Sequence, residues 1–196
     1  VFHVKHEAPI PRLSPEQRRR LELYEGLLRD RAVPGGLISH DDLPRLRERH
    51  IDDCLRAAAV VEAGDHDAYD IGSGAGLPGV VVAIACPDLR VTLVERRRSR
   101  AAFLESVLEV LGLSNALVFA GGSETLSAPA DLAFARALAP IRRSWELAEP
   151  ILRPAGRLVY FAGAAFDPAD LPAGVAATIT YPSLAPSGPL VIMARQ

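Results

Sequence analysis

Ten consecutive residues, Asp70-Ile71-Gly72-Ser73-Gly74-Ala75-Gly76-Leu77-Pro78-Gly79, combine a carboxylate with glycines at alternate positions. Glycines this close together let the backbone take positive φ and let a ligand approach the main chain with no Cβ in the way. The spacing Gly74-x-Gly76-x-x-Gly79 fits the turn that cradles a dinucleotide pyrophosphate. Glu95 follows about 20 residues later, at the end of the strand-like run Arg90-Val91-Thr92-Leu93-Val94, where an acid can accept both hydroxyls of a ribose. Arg136 ends another strand-like run and places a positive charge on the same edge. His50 borders the apolar stripe of a helical segment, with Asp53 on a neighbouring helix position. That spacing fits a packed histidine and a local hydrogen bond equally. Together these residue types point to a nucleoside-bearing ligand held by backbone and one acid.

The elements around them read as alternating strands and helices. Ser14-Pro15-Glu16-Gln17 supplies an N-cap, a proline at the first helical position and a capping-box Gln, and Leu21, Tyr24, Leu27 and Leu28 form the stripe that follows. Ser39-His40-Asp41-Asp42 caps a second helix with the stripe Leu43, Leu46, His50, Ile51, Cys54, Leu55, Ala58 and Val61. Strands are expected at 66–71, 90–94, 115–120, 131–135 and 156–161, with helices at 80–85, 101–111 and 140–152 between them. The runs 176–181 and 190–194 read as a closing antiparallel pair. Alternation of this kind makes a parallel sheet, whose ligands collect at the carboxyl ends of the strands. Val1 to His6 lacks the apolar core and small-residue cleavage site of a secretory signal, so it is not read as a targeting segment, and no structural role is read from it.

The chain's 196 residues suffice for one α/β domain with an appendage, and are too few for a dinucleotide domain plus a full substrate domain. The two cysteines, Cys54 and Cys86, lie in apolar helical patterns, so they are read as packing residues in a reducing compartment, with no zinc site or disulfide. No segment is apolar for long enough to span a bilayer. Net charge is −2, yet arginines cluster at Arg18-Arg19-Arg20, at Arg45, Arg47 and Arg49, and at Arg96-Arg97-Arg98 with Arg100. Any one cluster is an ordinary solvated face; together they suggest a basic rim for RNA.

With these residues placed, Asp70-x-Gly72-x-Gly74-x-Gly76 resembles motif I of class I methyltransferases, and nearly the whole chain resembles the glucose-inhibited division protein B family. The matching pieces are Arg49-His50-x-x-Asp53, the full stretch from Asp70 to Gly79, Leu93-Val94-Glu95, Arg100-x-x-Phe103-Leu104, Glu124 and Ala135-Arg136-Ala137. The resemblance implies a Rossmann-like α/β fold with a mostly parallel seven-stranded sheet, helices on both faces and an N-terminal helical extension over residues 1–62, the cofactor domain being 63–196. It implies a cytoplasmic enzyme that takes S-adenosyl-L-methionine and methylates N7 of a guanine in 16S ribosomal RNA, free or in the small-subunit particle. Neither metal nor membrane is implied, nor an oligomer.

By the same resemblance Gly72, Leu77, Ser123, Glu124 and Arg136 contact the cofactor, with Glu95 near its ribose and Asp70, Gly74 and Gly76 as further cofactor-binding residues of the turn. Arg136 and His50 are the candidates for substrate positioning or catalysis, and Arg49, Arg97, Arg98 and Arg100 for RNA contact. The chain departs from the family's usual lysine at Ser99, arginine at Gly122, lysine at Ala162, and tryptophan and asparagine at Arg31 and Gly36. Two other readings stay open at this point: an RNA-binding assembly factor on the same fold without catalysis, and a nicotinamide-dependent oxidoreductase.

Overall fold

In the computed structural model, which describes residues 2–6, 10–182 and 187–196, a single sheet divides two apolar layers. Its strands are β1 (Phe2–His6), β2 (Asp67–Ile71), β3 (Arg90–Val94), β4 (Ala116–Phe119), β5 (Ala130–Arg136), β6 (Leu152–Phe161), β7 (Ala176–Tyr181) and β8 (Leu190–Ala194). They lie in the order β1-β7-β8-β6-β5-β2-β3-β4. All pairings are parallel except those of β8 with β6 and β7. The order reverses beside β2, so the turn after β2 opens where a ligand crevice forms in such sheets.

The helices are α1 (Pro15–Leu27), α2 (Asp53–Ala58), α3 (Gly79–Ala85), α4 (Arg98–Leu111) and α5 (Ile141–Ala148). The first four pack with one face of the sheet, and α5 covers the other through Ile141, Trp145 and Ala148. Every residue of α3 is buried. A helix of Val, Ala and Ile sandwiched between α1 and the sheet needs no polar face, which explains its unbroken apolar sequence.

The N-terminal helices are built into this core. Leu21, Tyr24, Leu28 and Ala32 are fully buried in the same cluster as Val80, Val82 and Leu104. Gln17 makes the joint. Its Oε1 accepts from the Ser14 N–H at 2.8 Å, closing the capping box, while its Nε2 donates to the carbonyls of Ile84 at 2.9 Å and Ala85 at 3.1 Å. One side chain thus caps the start of α1 and satisfies carbonyls at the end of α3 that have no partner within their helix.

Several expectations are corrected. The sheet has eight strands, because Phe2–His6 pairs in parallel with β7, from Phe2 opposite Ala177 to His6 opposite Tyr181. An edge strand with Phe2 and Val4 largely exposed shows little apolar contrast, and its partner lies far along the chain. The second helix is broken into a 3₁₀ segment (His40–Arg45, containing Pro44), a π segment (Arg47–Asp52) and α2. Pro44 removes a backbone donor, which a straight α-helix does not accommodate. Helix α5 ends at Ala148 and gives way to a single turn carrying Pro150, and β6 begins already at Leu152. A bulge lies between the β5–β6 pairs Ala130–Leu152 and Leu132–Arg157, with Ala155 at φ 64°. The usual strand patterning is lost across it.

Gln17→Ala removes the side-chain half of the α1 capping box and leaves two carbonyls of α3 without their donor. It is expected to lower stability by about 1–3 kcal/mol, read as a fall in the urea midpoint with an unchanged slope.

Candidate functional site

The carboxyl ends of three adjacent strands are locked together by the turn itself. The N–H groups of Gly72 and Ser73 both donate to the Val94 carbonyl, at 2.8 and 3.1 Å, and the Glu95 N–H donates to the Phe119 carbonyl at 3.0 Å. The ends of β2, β3 and β4 therefore form one ledge, with Glu95 in its middle.

The glycines of the turn serve two ends. A Cβ at Gly79 would sit 2.4 Å from Leu93 Cδ2 and 2.6 Å from Asp70 Oδ2, so this glycine exists to let α3 close on the sheet. Gly72 and Gly76 are likewise closed in by Leu138 and by Val80 and Tyr24. Gly74 differs: at φ 58° its missing Cβ would meet nothing nearer than the Gly72 carbonyl oxygen at 3.8 Å. Its outer side is open, and its N–H donates to Glu95 Oε2 at 3.1 Å. The other oxygen of Glu95 accepts from the Arg97 N–H at 2.8 Å. Two backbone donors thus orient a carboxylate that is only 5% exposed, and each oxygen keeps a lone pair for a further donor. The open backbone of Gly74 beside this oriented acid fits the nucleoside group of a cofactor such as S-adenosylmethionine.

Asp70 plays a different part from the one expected of it. It is 1% exposed, and its Oδ2 accepts from the Gly79 N–H at 3.1 Å, while Val80 N–H donates to the Gly76 carbonyl. These early α3 donors are engaged inside the protein, so this helix end is not offered to a ligand carboxylate. Burial pushes the Asp70 pKa up to about 7, outweighing the hydrogen bonds of Ser73 and Gly79. Leu77 is buried in the core cluster, and Tyr24 reaches from α1 to donate to the Ala75 carbonyl at 2.8 Å. The turn is therefore held from behind by α1 as well as by the sheet.

Arg136 and His50 come together across 86 positions of sequence. Arg136 Nη1 donates to His50 Nδ1 at 3.1 Å, and its Nη2 to the Arg49 carbonyl at 3.0 Å. The guanidinium also lies 3.6 Å from Asp53 Oδ2 and over the Phe161 ring. Because Arg only donates, Nδ1 must accept, so the His50 ring is neutral with its proton on Nε2, which lies 3.1 Å from Asp42 Oδ2. Burial and the Arg136 charge hold the His50 pKa below the usual histidine value. Asp53 turns to Arg56 at 2.7 Å, and Arg56 in turn donates to the Gly188 carbonyl. Asp42, which the sequence pattern marks only as a helix cap, is the unforeseen member. Its other oxygen takes Arg49 at 3.0 Å.

Ser123 is buried on the turn after β4, while Glu124 is exposed and accepts a hydrogen bond from Arg96. Arg97 and Arg98 are exposed at the start of α4, with Arg100 partly buried one turn on. Cys54 and Cys86 are packing residues whose thiols burial pushes up to about 12 and about 11. Among the described residues no group of His, Cys, Asp and Glu is placed to hold a metal ion, and no helix is long and apolar enough to cross a membrane.

Residues 17–168 match the family model for rRNA small subunit methyltransferase G. The chain belongs to this family. It is 44% identical over 142 residues to ribosomal RNA small subunit methyltransferase G of Thermobifida fusca, covering 71% of this chain and 60% of that protein. With the relative from Salinispora arenicola it is 38% identical over 172 residues, covering 80% and 71%. The chain thus spans about 60% of the length of the first of these. Among solved structures it resembles mitomycin 7-O-methyltransferase, with a TM-score of 0.62 at 18% identity, covering 93% of this chain and 69% of that one. Membership in this family supports S-adenosylmethionine over a nicotinamide cofactor for the glycine turn.

The family departures fall at identifiable places. Glu124 folds back over Gly122, its Oε1 only 2.3 Å from where a Cβ would stand, so the carboxylate fills space that an arginine there would need. Arg31 donates to Ser106 at 2.8 Å and lies over Phe103, pinning the end of the first helical segment to α4. Ala162 lines a cavity beside α5.

Since the folded Asp70 pKa of about 7 exceeds its ordinary 3.8, the folded state binds the extra proton between those values. Stability therefore falls as pH rises from about 4 to about 7. Asp70→Asn keeps an acceptor for Gly79 but cannot ionise, so its urea midpoint is expected to lose that share of the pH slope.

Proposed function

We propose that this chain transfers a methyl group from S-adenosylmethionine to N7 of a guanine in 16S ribosomal RNA. The observation that carries the reading is an intact nucleoside cradle, Gly74 open beside Glu95, in a chain of the rRNA small subunit methyltransferase G family. Bound S-adenosylmethionine supplies an electrophilic methyl group on a sulfonium. In this reading Glu95 accepts the ribose hydroxyls, and the Gly72–Gly74 backbone lines the cofactor. Ser123 and Glu124 border it from the turn after β4.

Guanine N7 presents a lone pair and carries no proton, so the chain needs to position the base rather than deprotonate it. A neutral His50 locked between Asp42 and Arg136 suits that requirement: it acts as a positioning residue that fixes the guanidinium. Arg97, Arg98 and Arg100, at the start of the helix that follows Glu95, supply RNA backbone contact, which weakens as salt rises. N7 is hidden in the deep major groove of an A-form helix, so the target guanine lies in a loop or is otherwise exposed. RNA as the working substrate makes the cytoplasm the expected compartment.

The purified chain is expected to incorporate methyl groups into small-subunit particles from a strain lacking N7-methylguanosine in its 16S rRNA. Cofactor binding without incorporation would favour the assembly-factor reading, and mass spectrometry of the rRNA locates the modified base. Gly74→Val, which places a branched side chain at positive φ in the open cradle, should cut cofactor affinity at least about tenfold by calorimetry. Its stability cost is of the order of 1–2 kcal/mol.

Protonating His50 removes the acceptor that Arg136 uses. With a pKa lowered in the folded protein, the neutral ring contributes stability present above pH about 6.5 and lost as pH falls below it. Asp42, Arg49 and Arg136 are the charged groups that face the ring. Methylation by the wild type is expected to fall on this acid side, and His50→Gln to flatten that limb while keeping part of the rate at neutral pH.

A further inference from the structure

A cavity of about 340 Å³ opens on the α5 side of the sheet, at the carboxyl end of β6. Pro140, Arg142, Tyr160, Phe166 and Asp170 are among the residues lining it, together with the exposed loop residue Ala165. None of these residues belongs to the cofactor turn or to the Arg136–His50 group. The volume lies at the lower end of the range for small-ligand sites, enough for a nucleoside-sized group.

The cavity is joined to the cofactor turn by three residues. Leu138 lies against Gly72, its Cδ1 only 2.6 Å from where a Cβ would be. The next residue, Ala139, accepts at 3.1 Å from the Tyr160 hydroxyl, and Pro140 lines the cavity. Two steps of extended chain span at most about 7 Å, so the cavity mouth lies close to the glycine turn. Both sit on the edge of the sheet where such folds place their ligands.

Its lining is selective in kind. Tyr160 and Phe166 line it with aromatic rings, and the Arg142 guanidinium is held by donating to the Ala169 carbonyl at 2.9 Å. That bond also pins to α5 the short turn Pro168–Asp170, whose first free N–H is capped by Asp167 at 2.9 Å. Among the described residues the Asp170 carboxylate accepts no hydrogen bond and makes no ion pair, though its charge reaches the Tyr160 hydroxyl. Aromatic rings with an uncommitted carboxylate suit a base whose edge carries two adjacent donors. Of the RNA bases guanine has that edge, with N1–H beside the N2 amino group.

We propose that this cavity receives the target guanine of the RNA, stacked on Tyr160 and Phe166, with Asp170 accepting from N1–H and the N2 amino group. The proposal rests on the methyltransferase reading above. Holding guanine by its Watson–Crick edge leaves N7, on the opposite edge, unobstructed. Enzymes that modify a base read it in this way, by stacking and by its Watson–Crick edge, after withdrawing it from its neighbours.

Asp170→Asn replaces the acceptor pair by a mixed group, and Ala165→Trp fills the cavity from an exposed loop without touching the cofactor turn. With S-adenosylmethionine and small-subunit particles lacking N7-methylguanosine, both variants are expected to lose at least about tenfold in kcat/KM. Their cofactor affinity by calorimetry and their melting temperature should match the wild type, which separates loss of the site from loss of the fold. Variant rates within about twofold of an active wild type overturn the cavity assignment and leave the methyltransferase reading standing. An inactive wild type overturns the methyltransferase reading. The cavity is then judged by saturation-transfer NMR with guanosine 5′-monophosphate and inosine 5′-monophosphate, which lacks the N2 amino group. A guanine preference lost in Asp170→Asn supports the pocket, and equal or absent binding rejects it.

Discussion

A buried carboxylate meeting the first N–H of a buried helix sets the geometry on which the site depends. Asp70 Oδ2 accepts from Gly79 at 3.1 Å, with Leu93 close behind. This contact ties the end of β2 to the start of α3 at a separation that leaves no room for a Cβ at position 79. The intervening residues must then loop outward, with Gly72 exposed and Gly74 half-buried, its missing Cβ facing open space. Desolvating a carboxylate is costly, and the chain meets the cost by hydrogen bonds and by a pKa lifted to about 7. The same charge that makes the position look like a ligand contact in sequence is, in the fold, the post that holds the turn.

The second support comes from the N-terminal segment. Tyr24 on Ala75, Gln17 on the last carbonyls of α3, and Arg31 on Ser106 and Phe103 attach α1 and its extension to three parts of the sheet's covering layer. Further along, the broken helical stretch carries Asp42, His50 and Asp53 to the end of β5, where they surround Arg136. Both ends of the cofactor edge are thus braced by residues remote in sequence. Because Arg136 is committed to His50, Arg49 and Asp53, the site holds its central cation in place rather than leaving it to swing toward a ligand.

The Glu124–Arg96 pair depends on the small residue beside it. With glycine at 122, Glu124 folds over that residue and accepts from Arg96. The arginine usual in the family at 122 could not occupy the same volume.

The glycine turn, the acid at the end of β3, the capping box of α1 and the alternation of strands and helices were legible because each depends on residues near one another in the chain. Strand β1, the bulge in β6 and the early end of α5 were not, since an edge strand and a bulge take their form from a partner supplied elsewhere. The site divides along the same line. By itself the sequence determined a glycine turn between strand and helix and the family to which the chain belongs, because φ preferences and helix caps are local properties. Only the tertiary structure decided that Asp70 is a structural post, that His50 accepts from Arg136 under the control of Asp42, and that a carboxylate and two aromatic rings meet beside the turn. Those contacts span tens of residues and arise from packing, which no local pattern encodes.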